Sequence, residues 1–335
     1  MRLSVAMCTY NGERFLREQL ESLEAQTRLP DEVVICDDGS TDGTRAILEM
    51  FRAQAAFPVR LYFNEPNLGV LKNFEQAIRH CHGEIIALCD QDDVWLPEKL
   101  QRMEQAFVAS PSAAFVFTDL DIVDEELRPV GYTAWYSLDF DAREQAGFRR
   151  GGAFNSLVTR NVVTGAAMAF RASYIHMLLP VPEGSREQLL HDYWFALVLS
   201  AIADAVPISD ALVRYRRHAG QHTGLLPPQR TEGSMRDSAR RRQETPVKIE
   251  LACLVFDRLS NFRDVPGVAA ACTKLKARIE HARDRESQSR LRYHARLPRI
   301  ILELVRGRYH VSAHPDSSGW RDAGSDLVPY RFKRE

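Results

Sequence analysis

The sequence predicts an α/β fold in which a mixed, mainly parallel sheet is covered by helices on both faces, followed by a helical C-terminal extension. Short apolar runs of strand length alternate with amphipathic stretches of helix length through the first half of the 335 residues. Apolar residues are continuous within these runs, which is typical of strands that are buried on both faces. Beyond a breaker-rich segment at 220–228, the chain becomes helical and basic.

Five apolar runs are predicted to form the strands of one sheet. They lie at Leu3–Cys8, Glu32–Cys36, Val59–Phe63, Ile85–Cys89 and Ala114–Phe117. Between them, apolar residues recur at three- and four-residue intervals along 15–23, 46–51 and 74–81, as they do in helices with one buried face. Repeated strand–helix units of this length predict right-handed crossovers and a doubly wound sheet.

The pattern changes from about residue 150. Val162–Phe170 predicts a strand that Gly165 interrupts. His191–Ile202 predicts a helix, and Ala211–Arg216 predicts a closing strand. Since the breaker cluster follows directly, we expect a first domain at 1–227 and a second at 228–335.

Charge is unevenly distributed between these two segments. The whole chain has a formal net charge of −1, yet residues 1–227 hold 21 Lys and Arg against 31 Asp and Glu, while residues 228–335 hold 23 against 14. The two segments therefore attract different partners. Nucleic acid is not an expected partner, because few aromatic residues are interleaved with the basic ones.

Cysteine usage and hydropathy predict a cytoplasmic protein. The six cysteines include no C-x-x-C pair and no zinc spacing, and three of them lie in predicted strands, as is typical of free thiols in a reducing compartment. The N-terminal residues enter a strand without a secretory signal, and no window reaches the ~18 apolar residues of a membrane-spanning helix. The sequence also leaves open that the protein attaches peripherally to the inner face of a membrane.

Polar loops follow four consecutive predicted strands. These loops are Thr9–Gly12, Asp37–Asp42, Asn64–Gly69 and Asp90–Asp93. Ligands of open α/β sheets bind beyond the carboxyl ends of the strands, so we expect the four loops to converge on one site. Taken singly, the second and third loops are equally well explained by helix capping and by a tight turn.

Acidic residues are concentrated in two of these loops. Asp90, Asp92 and Asp93 end one strand, and Asp37 and Asp38 end another. Unpaired carboxylates this close together would repel and raise one another's pKa. A divalent cation with oxygen ligands removes that repulsion and also binds phosphate oxygens. Since neither a P-loop nor a G-x-G-x-x-G motif is present, the sequence predicts a site where a metal ion holds a diphosphate.

Several segments together resemble glycosyltransferase family 2. Four of them are VAMCTYNGERFLREQLESLEAQT, VVICDDGSTDGT, NEPNLGVLKNFEQAI and ALCDQDDVWLPEKL. Three later ones, VTGAAMAFR, LLHDYWFALVLSAIADAV and VRYRRHAGQHTG, are similar to the bacterial rhamnosyltransferase-like branch, and the likeness covers about residues 1–224. The resemblance implies the GT-A fold, with a nucleotide-sugar-binding half at 1–119 and an acceptor-binding half at 120–227. Residues 228–335 are then a basic helical extension.

The resemblance also implies roles for individual residues. Asp90-Gln91-Asp92 matches the family's D-x-D motif, with Asp92 as a direct ligand of Mg²⁺ or Mn²⁺ and His218 as a second one. Asp192 stands in the place of the catalytic base. Nucleotide binding is implied for Thr9, Tyr10, Asn11, Asp37, Asp38, Gly69 and Asp90. Contacts to the donor sugar or acceptor are expected of Asp93, Trp95, Thr164, Gly165 and Trp194, and contacts to the diphosphate of Arg214 and Arg216.

Other roles stay open for some of these residues. Asp192 begins an apolar helix, where it would serve equally as an N-terminal cap. His218 has the alternative of an ordinary surface histidine, and either Asp37 or Asp38 would read the base. Gly165 would let a sugar approach the backbone, or only mark a bulge.

The implied reaction is metal-dependent, inverting transfer of a sugar from a nucleoside diphosphate to a saccharide hydroxyl in cell-surface polysaccharide synthesis. L-Rhamnose from its dTDP donor is the first expectation. A UDP-hexose donor, a nucleotidyl or phosphoryl transferase and a non-catalytic nucleotide-sugar-binding protein stay open as alternatives.

Partners are also expected. The acceptor is a saccharide, either free or lipid-linked. For the extension, a helical cap, a homodimer surface and contact with an anionic membrane surface all stay open.

Overall fold

The computed structural model describes residues 1–182, 191–221, 245–289, 293–309 and 323. The chain divides into two compact units. The first comprises Met1–Ala153, Asn161–Glu183 and Glu187–Arg230, and the second comprises Phe154–Arg160, Gly184–Arg186 and Thr231–Glu335. The domain boundary expected at residue 228 stays a prediction. The same holds for the expected division of the first domain into a nucleotide-sugar-binding half at 1–119 and an acceptor-binding half at 120–227.

One sheet organises the first unit, and within the described residues it has nine strands. The strands are β1 (Leu3–Thr9), β2 (Glu32–Asp37), β3 (Val59–Phe63), β4 (Ile85–Cys89), β5 (Val94–Trp95), β6 (Ala113–Val123), β7 (Pro129–Thr133), β8 (Met168–Arg171) and β9 (Asp204–Arg216). Their order across the sheet is β3–β2–β1–β4–β8–β6–β9–β5, with β7 paired to β6. The first four strands are parallel, and β8 runs antiparallel to both β4 and β6.

Helices connect these strands. Those between residues 16 and 200 are α1 (Leu16–Glu24), α2 (Thr44–Gln54), α3 (Val70–His80), α4 (Lys99–Ala109), α5 (Ala134–Ser137), α6 (Ala142–Gly147), α7 (Ala153–Leu157), α8 (Ile175–Leu178) and α9 (His191–Ser200). Strands alternate with helices through β4, as the sequence pattern predicts. The α/β class with a mixed, mainly parallel sheet is therefore confirmed.

Burial explains why the strand sequences are apolar without alternation. Every residue of β1, β2 and β4 is buried, since each of these strands is flanked by others and covered on its faces. By contrast, β3 lies at the edge of the sheet and is half-buried throughout.

The register of these strands determines where the site forms. Thr9 at the end of β1 pairs with Asp37 at the end of β2, and Met7 pairs with Cys89 at the end of β4. Because these strands are parallel, the loops that follow them leave the same edge of the sheet.

The predicted strand Val162–Phe170 is shorter in the structure. Only Met168–Arg171 pairs as a strand, and Gly165–Ala167 forms a single 3₁₀ turn before it. The Gly165 N–H donates to the side chain of Asp192, so this part of the backbone is unavailable to a sheet ladder.

The second unit contains three long helices in its described part, α10 (Thr245–Ser260), α11 (Val268–Ser289) and α12 (Tyr293–Val305). α10 and α11 pack against each other, and Val255, Leu259 and Leu275 are buried there. The predicted helical C-terminal extension is thereby confirmed. Among the described residues, no helix combines the length and apolarity needed to cross a bilayer.

Candidate active site

A cavity of about 510 Å³ lies in the first unit, where β1, β2 and β4 end. Residues from all four polar loops line it. The sequence-predicted site residues on its wall are Thr9, Tyr10, Asp38, Gly69, Asp90, Asp92, Thr164, Gly165 and Asp192. Residues that are distant in sequence therefore share one concave surface.

Hydrogen bonds join the first two loops. Asp37 accepts from the Thr9 hydroxyl at 3.0 Å and from the Ser40 N–H at 3.0 Å. Asn11 donates its N–H to the Ser40 hydroxyl at 2.8 Å, and its side-chain oxygen accepts from the Thr41 N–H at 2.9 Å. Neither Asp37 nor Asn11 lines the cavity, so in this structure both residues shape the loops around it.

Asp38 joins the second loop to the third. Its carboxylate accepts from the N–H groups of Leu68 and Gly69, both at 2.8 Å, and from the Asn64 amide at 2.9 Å. Gly69 has φ +83°, a conformation that glycine adopts without a steric penalty. Of the two neighbouring acids, Asp38 is the one on the cavity wall.

Asp92 meets His218 although 126 positions separate them in the chain. The His218 Nε2 lies 2.8 Å from the Asp92 Oδ2, and the two side chains are 12% and 19% exposed. No group of three or more His, Cys, Asp or Glu side chains in the described part of the chain is arranged to hold a metal ion. A carboxylate and an imidazole fit a divalent cation that takes its other ligands from phosphate oxygens and water, as Mg²⁺ commonly does.

The acids beside Asp92 carry poorly stabilised negative charge. Burial, followed by the charges of Asp92 and Asp192, raises the pKa of Asp90 to about 7. Burial and the same kind of repulsion raise the pKa of Asp93 well above its usual range. The Asp93 Oδ1 accepts from the Arg216 N–H at 3.1 Å, but its buried Oδ2 has no hydrogen-bond partner among the described residues. Burial therefore disfavours the ionised form of both acids, and a cation bound nearby would stabilise that form.

Asp192 approaches the cavity from the start of α9. Its Oδ2 accepts from the Gly165 N–H at 2.8 Å, and its Oδ1 accepts from the Tyr193 N–H at 2.6 Å. Burial raises the pKa of Asp192 to about 6, although these backbone donors act in the opposite direction. The side chain is therefore ionised above pH 6, and it also accepts from a backbone N–H of the first turn of α9.

Gly165 brings the 3₁₀ turn close to α9. A Cβ at this position would lie 3.0 Å from the His191 Nε2 and 3.4 Å from the Asp192 Cβ. The His191 ring stacks on Phe74 with a centroid separation of 4.0 Å. The absence of a side chain at 165 thus lets the turn donate to Asp192, which is a packing reason for this glycine.

A family model described as glycosyl transferase family 2 matches residues 4–178, which is more than half of the chain. The chain belongs to glycosyl transferase family 2. This confirms the family that the sequence resembles, whereas the rhamnosyltransferase-like branch stays a prediction.

Curated relatives of this family 2 chain align over part of their length. A glycosyltransferase of Nostoc sp. is 38% identical over 124 residues, which is 37% of this chain and 38% of that protein. A protein of Mycobacterium tuberculosis is 26% identical over 226 residues, 65% of this chain and 59% of that protein. The Escherichia coli glucosyltransferase WfgD is 28% identical over 123 residues, 36% of this chain and 47% of that protein. The chain thus spans about two-fifths to three-fifths of these relatives.

A solved structure shares the fold of this family 2 chain. TarS 1–349 of S. aureus, solved in complex with UDP-GlcNAc, superposes with a TM-score of 0.58 at 20% identity. The superposition covers 84% of this chain and 72% of that one. At this identity the likeness shows the fold alone, and the expected GT-A fold is confirmed.

The structure buries three predicted contact residues inside the family 2 domain, and the fully buried Asp93 is one of them. Trp95 is 2% exposed and Trp194 is fully buried, and neither lines the cavity. The Trp194 indole N–H donates to the Leu178 carbonyl at 2.9 Å, while the Trp95 ring faces the Lys99 ammonium. Contrary to expectation, both rings pack inside the domain, because their bulk completes the core beneath the site.

The two predicted diphosphate ligands also lie elsewhere. Arg216 is 1% exposed, and its guanidinium pairs with Glu18 and donates to the carbonyls of Asp92 and Glu125. These protein partners take up the hydrogen-bond donors of the Arg216 guanidinium. The prediction that Arg216 contacts the diphosphate is therefore wrong for this conformation. Arg214 is exposed, and neither arginine is on the cavity wall.

Two supporting residues are missed by sequence reasoning. Gln91 accepts from the Tyr10 N–H at 2.8 Å and donates to the Tyr10 carbonyl at 3.0 Å, which joins the D-x-D turn to the first loop. Lys99 is fully buried and donates to the Ala166 carbonyl at 2.5 Å, and burial lowers its pKa to about 7. Gln91 occupies the unspecified position of D-x-D, and Lys99 resembles any surface lysine of a helix, so neither leaves a sequence signal.

Arg216→Met is expected to lower the free energy of unfolding by about 2–3 kcal/mol, because Glu18 and two carbonyls lose their partner. Arg214→Met, at an exposed position of the same strand, is expected to stay within about 0.5 kcal/mol of the wild type. Urea denaturation of the three proteins measures both effects. Unchanged stability of Arg216→Met, with loss of nucleotide binding, would restore the diphosphate role.

Gly12→Ala is expected to lower the free energy of unfolding by about 1–2 kcal/mol, because two hydrogen bonds to Tyr10 are lost. The new Cβ would lie 2.3 Å from the Gln91 Oε1 and would displace that amide. In a Gln91→Ala background the clash is gone, and the same substitution is expected to be nearly neutral. Thermal melts of the four proteins complete the cycle, and strictly additive effects would contradict the coupling.

Proposed function

We propose that this family 2 chain is a metal-dependent, inverting glycosyltransferase that uses a nucleoside-diphosphate sugar. The observation that supports it most is that Asp192 and Asp92 line one cavity, with the His218 imidazole 2.8 Å from Asp92. Inverting transfer needs a base for the acceptor hydroxyl and positive charge near the leaving diphosphate. Asp192 would supply the base, and a cation held by Asp92 and His218 would supply the positive charge.

Asp192 is proposed as the general base. Its pKa of about 6 leaves the carboxylate ionised at pH 7. Because this pKa lies near pH 7, the carboxylate is also basic enough to accept a proton. The N–H donors of Gly165 and Tyr193 hold both oxygens in a fixed orientation at the cavity. In this arrangement Asp192 would accept the proton of the acceptor hydroxyl as that oxygen attacks the anomeric carbon.

Asp92 and His218 are proposed to hold Mg²⁺ or Mn²⁺. When bound, such an ion neutralises charge on the departing nucleoside diphosphate. Two observations support a cation beside Asp92: the Asp93 Oδ2 has no hydrogen-bond partner among the described residues, and the pKa of Asp90 is raised. In both cases the carboxylate has too little positive charge near it to stabilise its ionised form. Thr9, Tyr10 and Asp38, which line the same cavity, would contact the nucleotide.

For the donor we propose dTDP-L-rhamnose first, on the resemblance of the HDYW and YRRH segments to the rhamnosyltransferase-like branch. A UDP-hexose is the alternative, supported by the UDP-GlcNAc bound to TarS and by the UDP-Glc donor in the name of WfgD. The acceptor named for WfgD is a saccharide on diphosphoundecaprenol. We therefore propose a saccharide acceptor, lipid-linked, in cytoplasmic assembly of a cell-surface polysaccharide.

The pH dependence tests the base. Asp192 must be deprotonated to act, so kcat/KM is expected to fall about tenfold per unit as the pH decreases below about 6, and to be level above it. Asp192→Asn is expected to lose about 10²–10⁴-fold in transfer while nucleotide-sugar binding is kept, because the amide cannot take a proton.

The exposed carboxylate Asp210 offers the matched control, and Asp210→Asn is expected to behave as the wild type in both assays. Product analysis by mass spectrometry distinguishes glycosyl transfer from phosphoryl or nucleotidyl transfer. Retained transfer by Asp192→Asn, or release of a nucleoside monophosphate, would reject the proposed reaction.

Asp92→Asn and His218→Gln are each expected to weaken Mn²⁺ binding in the presence of a nucleoside diphosphate by at least about tenfold, because each removes one of two protein ligands. Electron paramagnetic resonance of free Mn²⁺ measures this without an activity assay. Asp210→Asn again serves as the control. Equal Mn²⁺ affinity in all four proteins would remove the metal from the proposal.

A further inference from the structure

α12, in the second unit, has an exposed apolar stripe. Ile301 is 51% exposed, Leu302 is 46% exposed and Val305 is 80% exposed. At about 100° per residue, these three side chains fall within an arc of about 100° on the helix surface. Exposed residues of this kind are ordinary when scattered singly, but here three of them are contiguous.

Arginines border this stripe on one side. Arg299 is exposed, and Arg306, just beyond the end of the helix, has a side chain that is 53% exposed. Viewed down the helix axis, both arginines lie about 140–160° around the helix from Ile301. Leu302 lies about 100° from Ile301, so the arginines come next to it, at one margin of the apolar stripe. The exposed face of α12 therefore combines an apolar stripe with a cationic margin.

The opposite face of α12 fixes this orientation. Ile300 is 1% exposed and clusters with Tyr309 and Ala323, with Leu304 packed against the cluster. Glu303, the acid of the helix, is 5% exposed and lies 3.1 Å from the Arg308 guanidinium. Glu303 also lies 3.5 Å from the Arg306 guanidinium, so it offsets one of the two positive charges of Arg299 and Arg306 and leaves this margin net positive.

We propose that this face of α12 binds the surface of an anionic phospholipid bilayer. Ile301, Leu302 and Val305 would enter the boundary between headgroups and acyl chains, and the arginines would meet lipid phosphates. The net positive balance of residues 228–335, 23 basic against 14 acidic, complements an anionic surface.

A second copy of the chain explains this face less well. Stable protein interfaces bury roughly 800 Å² per partner, and three partly exposed side chains form a patch of only a few hundred Å². Two like-charged arginine margins would also face each other across such a contact. A bilayer requires neither a large flat area nor a complementary charge pattern on a second protein.

The experiment is co-sedimentation of the full chain with vesicles of phosphatidylcholine alone and with vesicles that contain 30% phosphatidylglycerol. Binding is expected only to the anionic vesicles, and it is expected to weaken as the salt concentration rises. Ile301→Ser/Val305→Ser and Arg299→Gln/Arg306→Gln are each expected to weaken it at least about tenfold.

Val108→Ser is the matched control, because Val108 is 66% exposed on α4 in the first unit. It is expected to bind vesicles as the wild type does, and circular dichroism verifies that every variant is folded. Equal binding to neutral vesicles, no binding, or undiminished binding by both double variants would overturn the proposal. So would a dimer that dissociates in the apolar variant without a change in vesicle binding. None of these outcomes depends on the proposed transfer reaction.

Discussion

Negative charge held partly away from water is the constraint on which this site depends. Burial raises the pKa of Asp90 to about 7 and that of Asp192 to about 6. The fold stabilises these groups with few positive partners: the backbone N–H groups of Gly165 and Tyr193 at Asp192, and the charge of Lys99 near Asp90. Because this support is incomplete, a cation bound at the cavity, as we propose, would stabilise the ionised carboxylates and could also bind a diphosphate.

Much of the architecture follows from sequence alone. β1, β2 and β4 could be predicted because both of their faces are covered, and a strand in that environment needs apolar residues at every position. Parallel pairing then places the loops on one edge, so convergence follows from topology without any long-range information. The pairing of Asp92 with His218 is different in kind. Residues 126 positions apart leave no local pattern, and the family resemblance alone indicated it.

The remainder of the site depends on geometry that residue types do not encode. Arg216 looks like a phosphate ligand in the sequence, yet an ion pair with Glu18 and two carbonyls occupies it. From the sequence, Trp194 is predicted to contact the sugar or the acceptor. In the structure its indole ring is part of the core, and the indole N–H donates to the Leu178 carbonyl. In both cases the direction in which a side chain leaves its strand or helix decides the role. That direction depends on register, and β9 shifts register against β6 at several points.

β9 ends at Arg216, two residues before His218, and it is paired with β5 on one side and β6 on the other. A single inserted residue in this strand would exchange its two faces, turning Arg216 outward and withdrawing the imidazole from Asp92. The length of the chain between 204 and 218 therefore sets the distance between His218 and Asp92, and an inserted residue keeps that contact only where a β-bulge absorbs it.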